Sequence, residues 1–578
     1  MQLSFPRLSP FLELIQLAQR DPSKIVLRDH CTSKTATAGQ LLHSAAFLRS
    51  KIQAALGSDD NKGAKQCNKD RFIFLIAPPG LEYVAAMLAI ISLGAGMSAH
   101  SLVIRPEEMI RFFKIAKPLA LLYTSDLSAK VCAIKAASVE MENESELMIP
   151  FLEIQIDQSI CHVSQDYVLE DYSSFASDQL GTLFFTSGTS GNPKGVIHSY
   201  AALLASARER IESWDLTEHD MVLCQKPGNW MGGIFGILPT LIAGACLETC
   251  AGVFDSKWFW ERIRQGGLSV FSIAPEGYDR FAEYFDDNIA SLPSVQKERY
   301  LDGLTAAKFA GATGSRLLPH TQNRWTDLRR GKPLLNLYGS TEVTLICGMS
   351  WKNPNYPDMC SVGQAVPGVE VRLVEGEVRL KAPTMFSRYL SEDPTQTEQA
   401  FDSEGYFKTG DCAEKLENCY ILHGRANIDV MHFWGFTLHT SEIESALSTL
   451  PYVADAVVFP IDDEECQQRA AAIIRTDPSY KFKVPSLKNL RDDLTQRTGL
   501  MQFKQPTVVY WLQEGEEISV TANGKVSKKL TKTKLFVDGW QSQKNVEVLD
   551  LKEMEYWRMG GTISNSSRDN TFGTRGYK

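Results

Sequence analysis

The residues between Leu183 and Tyr200 carry the clearest sign of chemistry in this sequence. They read LFFTSGTSGNPKGVIHSY, an apolar run followed by glycines, hydroxyl side chains and one lysine. Glycine lets the backbone approach phosphate oxygens, hydroxyls donate hydrogen bonds to them, and lysine adds positive charge. A surface loop rich in serine and glycine is the alternative. We favour nucleotide contact because the loop follows a buried strand. It is not the usual P-loop, since the pattern GxxxxGK[ST] does not fit this sequence. The candidate phosphate-binding residues are Thr186, Ser187, Gly188, Thr189, Ser190, Gly191 and Lys194.

A second group of candidates lies in Asn336–Thr344, which reads NLYGSTEVT. Tyr338 can stack on a base, and Thr341 can donate a hydrogen bond to a phosphate. Glu342 offers a carboxylate oxygen, which is the ligand type that Mg²⁺ prefers. Gly339, in the same turn, is a further candidate for nucleotide contact. Taken alone, the segment favours an ordinary turn with a solvated glutamate over a nucleotide site.

Two later segments add an aspartate, an arginine and a lysine. In Gly405–Asp411 (GYFKTGD), Asp411 can accept hydrogen bonds from two ribose hydroxyls, and Arg425, after Gly424, can pair with ribose or phosphate oxygens. A surface aspartate in a glycine turn is an equal alternative. Lys525 lies in Asn523–Leu530 (NGKVSKKL), and by itself it is a solvated lysine beside a glycine.

Buried strands separated by helices must position these residues. The apolar pattern of the first half predicts a helix over Leu81–Leu93 and short strands on either side of it. Such a pattern is typical of α/β layers with a mostly parallel sheet. The predicted strands are Arg71–Ala77, Leu119–Tyr123, Leu183–Thr186, Met221–Cys224 and Leu334–Leu337.

The pattern of predicted elements changes after about Tyr356, where long α/β alternation gives way to short strands. Short strands separated by glycine and proline predict a small β-rich subdomain, and the polar turn His423–Asp429 suggests a domain boundary. Beyond it, the pattern predicts a compact α+β domain. We therefore expect an α/β fold with a large layered N-terminal domain (1–425; two α/β subdomains and the β-rich one), a small α+β domain (426–540) and an extension (541–578). The polar residues from Gly560 onward predict a disordered end. The predicted elements are strands Val369–Val374, Glu377–Lys381, Val453–Phe459 and Ala470–Arg475, and helices Thr440–Thr449 and Ser486–Thr498.

Composition narrows the class of protein. The chain has 578 residues, with 60 Lys+Arg against 69 Asp+Glu and a formal charge of −9. This acidity argues against a nucleic-acid partner, which calls for a basic face. We expect no membrane span, because no stretch reaches the roughly 18 apolar residues that a spanning helix requires. The chain ends Gly576-Tyr577-Lys578 rather than Ser-Lys-Leu, so we expect a cytoplasmic rather than a peroxisomal protein.

Taken in order, these segments resemble the adenylate-forming (AMP-binding) superfamily of acyl-CoA synthetases, nonribosomal-peptide adenylation domains and luciferases. The loop after Leu183 is similar to the family pattern [ST]SG[ST]TG-x-PKG, and Leu93–Ala99 (LGAGMSA) is similar to an early glycine turn. NLYGSTEVT resembles the aromatic–Gly–x–Thr–Glu motif. GYFKTGD, Gly424-Arg425 and NGKVSKKL resemble the later motifs, the last of which carries the family's reactive lysine.

The resemblance implies a two-step reaction that uses ATP, Mg²⁺ and coenzyme A. A carboxylic acid is adenylated to acyl-AMP, and a thiol of coenzyme A or of a carrier-protein pantetheine then takes the acyl group. It makes Lys525 the cation that stabilises the first transition state. It assigns catalysis also to Lys194, Thr341 and Glu342, with Glu342 as the metal ligand. It further implies that the C-terminal domain is a mobile cap, with the hinge at Asp429 and the thiol tunnel at Gly435.

Three positions depart from the family pattern. The stretch Gly424–Asp429 is one residue longer than usual, so the hinge could instead be Ile428. Tyr200 replaces a frequent histidine, and we assign it no catalytic role. Arg388, before Tyr389, replaces a glycine. The candidate catalytic residues are all present, which favours an active enzyme.

The segment Lys226–Ile237 (KPGNWMGGIFGI) corresponds to the family's acyl pocket. Trp230 takes the position of an aromatic gate, and Met231 takes the position where amino-acid-activating relatives carry an aspartate. No acidic residue occurs in Gln225–Leu247, and an unpaired buried ammonium group is costly. We therefore expect a substrate without an α-amino group. The small pocket residues expected to leave room for an acyl group are Gly232, Gly233, Gly236, Gly311, Ala312 and Thr313.

The leading functional hypothesis is an acyl-CoA synthetase acting on a fatty or aryl acid. A free-standing enzyme that loads a carrier-protein thiol is the alternative within the same chemistry. A nucleotide-binding interaction protein that has lost catalysis is the alternative outside it. Luciferase chemistry is disfavoured because nothing in the sequence indicates a luciferin site.

Overall fold

A computed structural model describes most of the chain. The described residues are 3–57, 71–140, 149–156, 166–171, 179–187, 193–251, 254–315, 317–353, 356, 358, 361–391, 393–425, 429–434, 436–463, 465–520, 526–537 and 540–554. The predicted disorder from Gly560 falls outside these residues.

The described chain forms two compact units. The first comprises Met1–Arg372, Arg379–Thr409 and Lys415–Ile421, and the second comprises Leu373–Val378, Gly410–Glu414 and the residues from Leu422 onward.

Helices occur in both units. In chain order they are α1 (Phe11–Arg20), α2 (Ala38–Leu56), α3 (Leu81–Ser92), α4 (Pro106–Ala116), α5 (Ser128–Glu140), α6 (Tyr200–Trp214), α7 (Met231–Ile242), α8 (Ser256–Arg264), α9 (Pro275–Asn288), α10 (Ser294–Ala306), α11 (Pro319–Leu328), α12 (Gln396–Gln399), α13 (Thr440–Leu447), α14 (Leu487–Thr498) and α15 (Lys528–Leu535).

Strands build the sheets that carry the candidate site. In chain order they are β1 (Leu3–Pro6), β2 (Ile25–Asp29), β3 (Lys34–Thr37), β4 (Phe72–Ile76), β5 (Gly96–Ala99), β6 (Ala120–Tyr123), β7 (Phe151–Glu153), β8 (Tyr167–Glu170), β9 (Leu180–Ser187), β10 (Pro193–Ser199), β11 (Met221–Cys224), β12 (Cys246–Thr249), β13 (Val270–Ile273), β14 (Phe309–Thr313), β15 (Leu335–Ser340), β16 (Thr344–Gly348), β17 (Gln364–Ala365), β18 (Glu370–Val374), β19 (Glu377–Lys381), β20 (Arg388–Leu390), β21 (Phe407–Leu416), β22 (Cys419–Arg425), β23 (Val430–Phe433), β24 (Phe436–His439), β25 (Val453–Asp463), β26 (Gln467–Thr476), β27 (Val508–Trp511) and β28 (Val546–Val548).

The first unit contains two large mixed sheets. One has the order β20-β10-β9-β5-β4-β6-β7, and the other has the order β17-β16-β15-β14-β13-β11-β12-β2-β3. In the first, β9, β5, β4, β6 and β7 are parallel, and β10 pairs antiparallel with both β9 and β20. In the second, β15, β14, β13, β11, β12 and β2 are parallel. A two-stranded sheet pairs β1 with β8, and a four-stranded sheet has the order β18-β19-β21-β22.

Apolar sequence explains where the core of the first unit lies. Every residue of β4 is buried, as expected for a parallel strand covered on both faces. In α3, Glu82 is the one residue that is not buried, and a helix that is apolar all round belongs inside a core. Residues of α2, α3 and α7 share one hydrophobic cluster. The positions of these elements match the predicted α/β layers.

The second unit has an α+β architecture of its own. Its sheet has the order β24-β23-β26-β27-β28, with β25 also paired to β26. Side chains from α13, α14 and the sheet form a separate hydrophobic cluster. In the described part of the chain, none of the helices has the length and apolar character needed to cross a bilayer.

Candidate active site

Two antiparallel strands hold the ends of the predicted phosphate loop. Strand β9 ends at Ser187 and β10 begins at Pro193, with Lys194 paired opposite Thr186. The Thr186 hydroxyl donates to the Lys194 carbonyl oxygen at 3.4 Å. The predicted loop residues Gly188, Thr189, Ser190 and Gly191, and the side chain of Ser187, lie outside the described part.

Lys194, Glu342 and Tyr389 meet beside this loop. The Lys194 Nζ lies 3.5 Å from Glu342 Oε1 and 3.9 Å from the centre of the Tyr389 ring. The Tyr389 hydroxyl donates to the same Glu342 oxygen at 2.8 Å. Strand pairing places Tyr389 there, because it lies opposite Val196 in the β10–β20 ladder. A cation, a carboxylate and a phenol therefore form one contact group in a largely buried position.

Thr341 and Glu342 lie in the tight turn between β15 and β16. A methyl group on Gly339 would lie 1.9 Å from the Thr344 carbonyl oxygen, so only glycine fits there. Thr344 has φ +77°, a left-handed conformation that side chains rarely adopt. The Phe386 N–H donates to the Glu342 carbonyl at 2.7 Å. This turn is thus fixed by its own geometry and by the segment that precedes Tyr389.

A buried histidine also holds this turn. His198 Nε2 donates to the Thr341 carbonyl oxygen at 2.7 Å. Burial lowers the pKa of His198 to about 4, although this hydrogen bond and the charge of Glu342 act in the opposite direction. The ring is therefore neutral near pH 7. Sequence reasoning missed His198. A signal was present, because residues four apart on a strand share a face, and His198 lies four residues after Lys194.

Tyr338 and Tyr200 are buried. Tyr338 lies in β15 opposite Cys347. Tyr200, the first residue of α6, is buried and its hydroxyl donates to the Ser9 carbonyl oxygen.

The predicted acyl-pocket segment links β11 to α7. Trp230 precedes α7, whose first residues are Met231 and Gly232. Because β11, β13, β14 and β15 are parallel neighbours, this segment, Thr313 and the Thr341 turn lie at the same carboxyl edge of the sheet.

The space beside the pocket glycines is occupied by protein atoms. A methyl group on Gly232 would lie 2.4 Å from Lys226 Cδ, one on Gly233 would lie 2.6 Å from the Pro227 carbonyl oxygen, and one on Gly311 would lie 3.0 Å from Ser272 Oγ. Ala312 is buried in β14. These glycines therefore admit neighbouring protein groups, and their place in the acyl pocket stays a prediction.

The second unit contains the other candidate residues. Asp411 lies inside β21 rather than in a glycine turn, and Arg425 ends β22. The Arg425 Nε lies 2.8 Å from Asp411 Oδ1. Two hydrogen bonds of 2.7 Å join Asp429 to Arg425 and close a turn. The Asp429 N–H donates to the Arg425 carbonyl oxygen, and the Arg425 N–H donates to Asp429 Oδ2. The alternative hinge Ile428, together with Gly435 and Lys525, falls outside the described residues.

Comparison with known proteins identifies the family. A sequence model described as AMP-binding enzyme matches residues 19–390, and one described as AMP-binding enzyme C-terminal domain matches residues 442–525. The chain belongs to the AMP-binding enzyme family. The predicted resemblance to the adenylate-forming superfamily is confirmed.

Individual relatives support this membership along most of the chain. It is 28% identical over 553 residues to the acyl-CoA ligase oryP of Aspergillus oryzae, covering 94% of this chain and 96% of the relative. It is 28% identical over 541 residues to the malonate–CoA ligase of Arabidopsis thaliana, covering 87% of this chain and 85% of the relative. The ATP-bound MatB of Rhodopseudomonas palustris has the same fold, with a TM-score of 0.75, 20% identity, and coverage of 92% of this chain and 99% of that chain.

These findings confirm the predicted fold class and enzyme class. The chain is an AMP-binding enzyme by family, and the two relatives named above are acid–CoA ligases. Magnesium is typical of the family. Among the described residues no group of three or more His, Cys, Asp or Glu side chains could hold a metal ion by itself. Glu342 nevertheless fits Mg²⁺, which binds through one or two carboxylates together with substrate phosphates.

Proposed function

We propose that this protein adenylates a carboxylic acid without an α-amino group and transfers the acyl group to coenzyme A. The observation that carries the proposal is the contact of Lys194, Glu342 and Tyr389 beside the phosphate loop. The three groups supply a cation for phosphate oxygens and an anchored carboxylate for a phosphate-bound magnesium ion.

In the first step a substrate carboxylate oxygen attacks the α-phosphorus of ATP. The bond from that phosphorus to the bridging oxygen breaks, and pyrophosphate leaves. Lys194 and Thr341 would hold phosphate oxygens, and Glu342 would hold Mg²⁺, whose charge offsets that of the phosphates. Lys525 would meet the charge that develops at the α-phosphate. In the second step the sulfur of coenzyme A attacks the acyl carbonyl, and AMP leaves as the carbonyl–oxygen bond breaks.

The second unit supplies the rest of the proposed machinery. The Arg425–Asp411 ion pair would face the ribose hydroxyls, because a carboxylate can accept two hydrogen bonds from a vicinal diol. Asp429 is the proposed hinge, Gly435 the residue at the thiol tunnel, and residues 426–540 the mobile cap. In this family such a movement replaces one catalytic face with another between the two steps.

For the acid, we propose a short dicarboxylate, with malonate as the leading candidate. Relatives over most of this chain are malonate–CoA ligases. Lys226 is the one charged residue in Gln225–Leu247, and its stem lies against Gly232 at the carboxyl edge of the sheet. A lysine there can pair with the second carboxylate of a dicarboxylic acid. A fatty or aryl acid has no such group. The fatty or aryl acid remains the alternative.

A panel of acids tests this function. Malonate, methylmalonate, succinate, octanoate and benzoate are each supplied with MgATP, and pyrophosphate release and thioester formation are measured with and without coenzyme A. We expect malonate to give pyrophosphate and a thioester. Accumulation of acyl-AMP without a thioester would favour a carrier-protein acceptor. Absence of pyrophosphate with every acid would favour the inactive nucleotide-binding protein.

Lys226 gives the panel a specificity variant. We expect Lys226→Met to lower kcat/KM for malonate roughly tenfold or more, since a charge-assisted hydrogen bond contributes about 1.5–3 kcal/mol, and to change octanoate much less. The matched control is Lys257→Met, which removes an exposed lysine of α8. An equal loss with malonate and octanoate would contradict the assignment.

A further inference from the structure

Lys528 lies three residues after the predicted reactive lysine and is the first residue of α15. Its ammonium group touches three oxygens of the second unit. The Nζ lies 2.5 Å from Asp429 Oδ1, 2.8 Å from Glu444 Oε1 and 2.9 Å from Thr440 Oγ1. The side chain is 17% exposed, so these contacts are shielded from solvent.

The three oxygens belong to segments that are distant in sequence from α15. Asp429 closes the turn on Arg425, while Thr440 and Glu444 belong to α13. These segments are also joined to one another, because the Thr440 N–H donates to the Asp429 carbonyl at 2.8 Å. Lys528 therefore connects α15 to the proposed hinge and to α13 at a single point.

The charges in this cluster favour an ionised lysine. Burial lowers the pKa of Lys528, but the charges of Glu444 and Asp429 outweigh it, and the net change is upward. Burial raises the pKa of Glu444, and Lys528 opposes that change. Two carboxylates and one ammonium group form charge-assisted hydrogen bonds, which are among the stronger and more directional contacts in proteins.

Local contacts extend this anchor toward Lys525. The Ser527 side chain caps α15 by accepting from the Leu530 N–H at 3.3 Å, and the Ser527 N–H donates to the Ser519 carbonyl at 2.8 Å. The backbone just after Lys525 is therefore held by the same short segment that Lys528 anchors.

We propose that Lys528 is a positioning residue for adenylation, which ties the start of α15 to Asp429 and Glu444 and so fixes the origin of the loop that carries Lys525. The inference rests on the proposed function. A catalytic group that is misplaced by about 1 Å can lose roughly 100-fold in rate. The family carries out thioester formation with a different face of the cap, so Lys525 does not take part in that step. Lys528 therefore matters to one half-reaction.

The experiment compares the two half-reactions in Lys528→Met, Lys528→Arg and Lys529→Met. Lys529 is the matched control, because it is the next residue of α15, is exposed and loses the same charge. Adenylation is measured as pyrophosphate release with the best acid of the panel, and the second step as thioester formation from chemically prepared acyl-AMP and coenzyme A.

We expect Lys528→Met to lower kcat for adenylation roughly 10- to 100-fold while thioester formation stays within about threefold. Lys528→Arg should restore most of the loss, and Lys529→Met should match the unmodified protein. Equal losses in both steps, or no loss in either, would overturn the proposal. If Lys528→Met is unfolded in a thermal melt, Lys528→Gln, which keeps a polar side chain but is shorter and uncharged, is tested by the same ratio. Failure of the unmodified protein to adenylate any acid would instead reject the proposed function.

Discussion

At the scale of single residues, His198 shows how burial sets the chemistry of a contact. A protonated ring would carry its charge inside the protein, so the neutral form is stabilised and donates from Nε2 to the Thr341 carbonyl. The buried His198 Nδ1 has no hydrogen-bond partner among the described residues. A ring in this position holds the Thr341–Glu342 turn without adding charge to it.

The native pKa of His198 predicts how stability changes with pH. In the unfolded chain His198 takes up a proton below about pH 6.5, whereas the native ring does so only below about pH 4. The free energy of unfolding therefore falls as the pH is lowered through this window. Between pH 7.5 and pH 5 the expected loss is about 2 kcal/mol. His100, whose pKa burial lowers to about 3, adds in the same direction.

Urea unfolding followed across this pH range checks the prediction. The free energy of unfolding should depend less on pH in His198→Gln than in the unmodified protein. His219→Gln is the control, because that side chain is 87% exposed. A pH dependence that is unchanged by His198→Gln would contradict the argument.

At the scale of elements, local sequence predicted the strands and helices but not their partners. The predicted bounds of β11 and β19 agree with the structure, because each is a short run between clear breakers. A glycine turn at Asp411 was the alternative to a ribose-binding aspartate, and Gly410, at φ +70°, instead lies within β21.

The contacts of the candidate site depend on pairing between distant segments. Glu342 and Tyr389 are 47 residues apart, and His198 and Thr341 are 143 apart. Periodicity cannot reveal that β20 pairs with β10, so Tyr389 and His198 were absent from the predicted site. Lys194, Thr341 and Glu342 were found because their residue types and spacing are local features of the sequence.

The turn between β15 and β16 provides a prediction at this scale. Gly339→Ala places a methyl group 1.9 Å from the Thr344 carbonyl oxygen, so the turn that carries Thr341 and Glu342 must shift. We expect the free energy of unfolding to fall by about 1–3 kcal/mol and kcat for pyrophosphate release to fall at least tenfold.

Gly39→Ala is the matched control for this substitution. A methyl group there meets nothing closer than 3.4 Å. Full activity in Gly339→Ala would show that the turn tolerates displacement and would argue against a catalytic role for its residues.

At the scale of the whole molecule, the candidate residues are found in two units, each with its own core. Lys194, Thr341 and Glu342 belong to the first unit, and Asp411, Arg425 and Asp429 belong to the second. The formal charge of −9 does not reveal where the cationic candidate residues lie.

Binding of MgATP should therefore stabilise the protein in a way that depends on Lys194. A ligand at 100 times its Kd adds about 2.7 kcal/mol to the free energy of unfolding, and this appears as a higher Tm. We expect Lys194→Met to lose most of that shift and Lys529→Met to keep it. A thermal melt with and without MgATP measures both, and an undiminished shift in Lys194→Met would exclude its contact with the nucleotide.

Strand β10 carries Lys194 and His198 four residues apart, and its backbone is paired on both sides, with β9 and with β20. For protein engineering this means that the proposed phosphate-binding lysine and the histidine that supports the glutamate turn lie on one strand held on both sides. A redesign that moves Lys194 toward a different triphosphate would also move His198, and with it Thr341 and Glu342. Altered nucleotide preference is therefore better sought in side chains that reach the site from β20 than in the path of β10 itself.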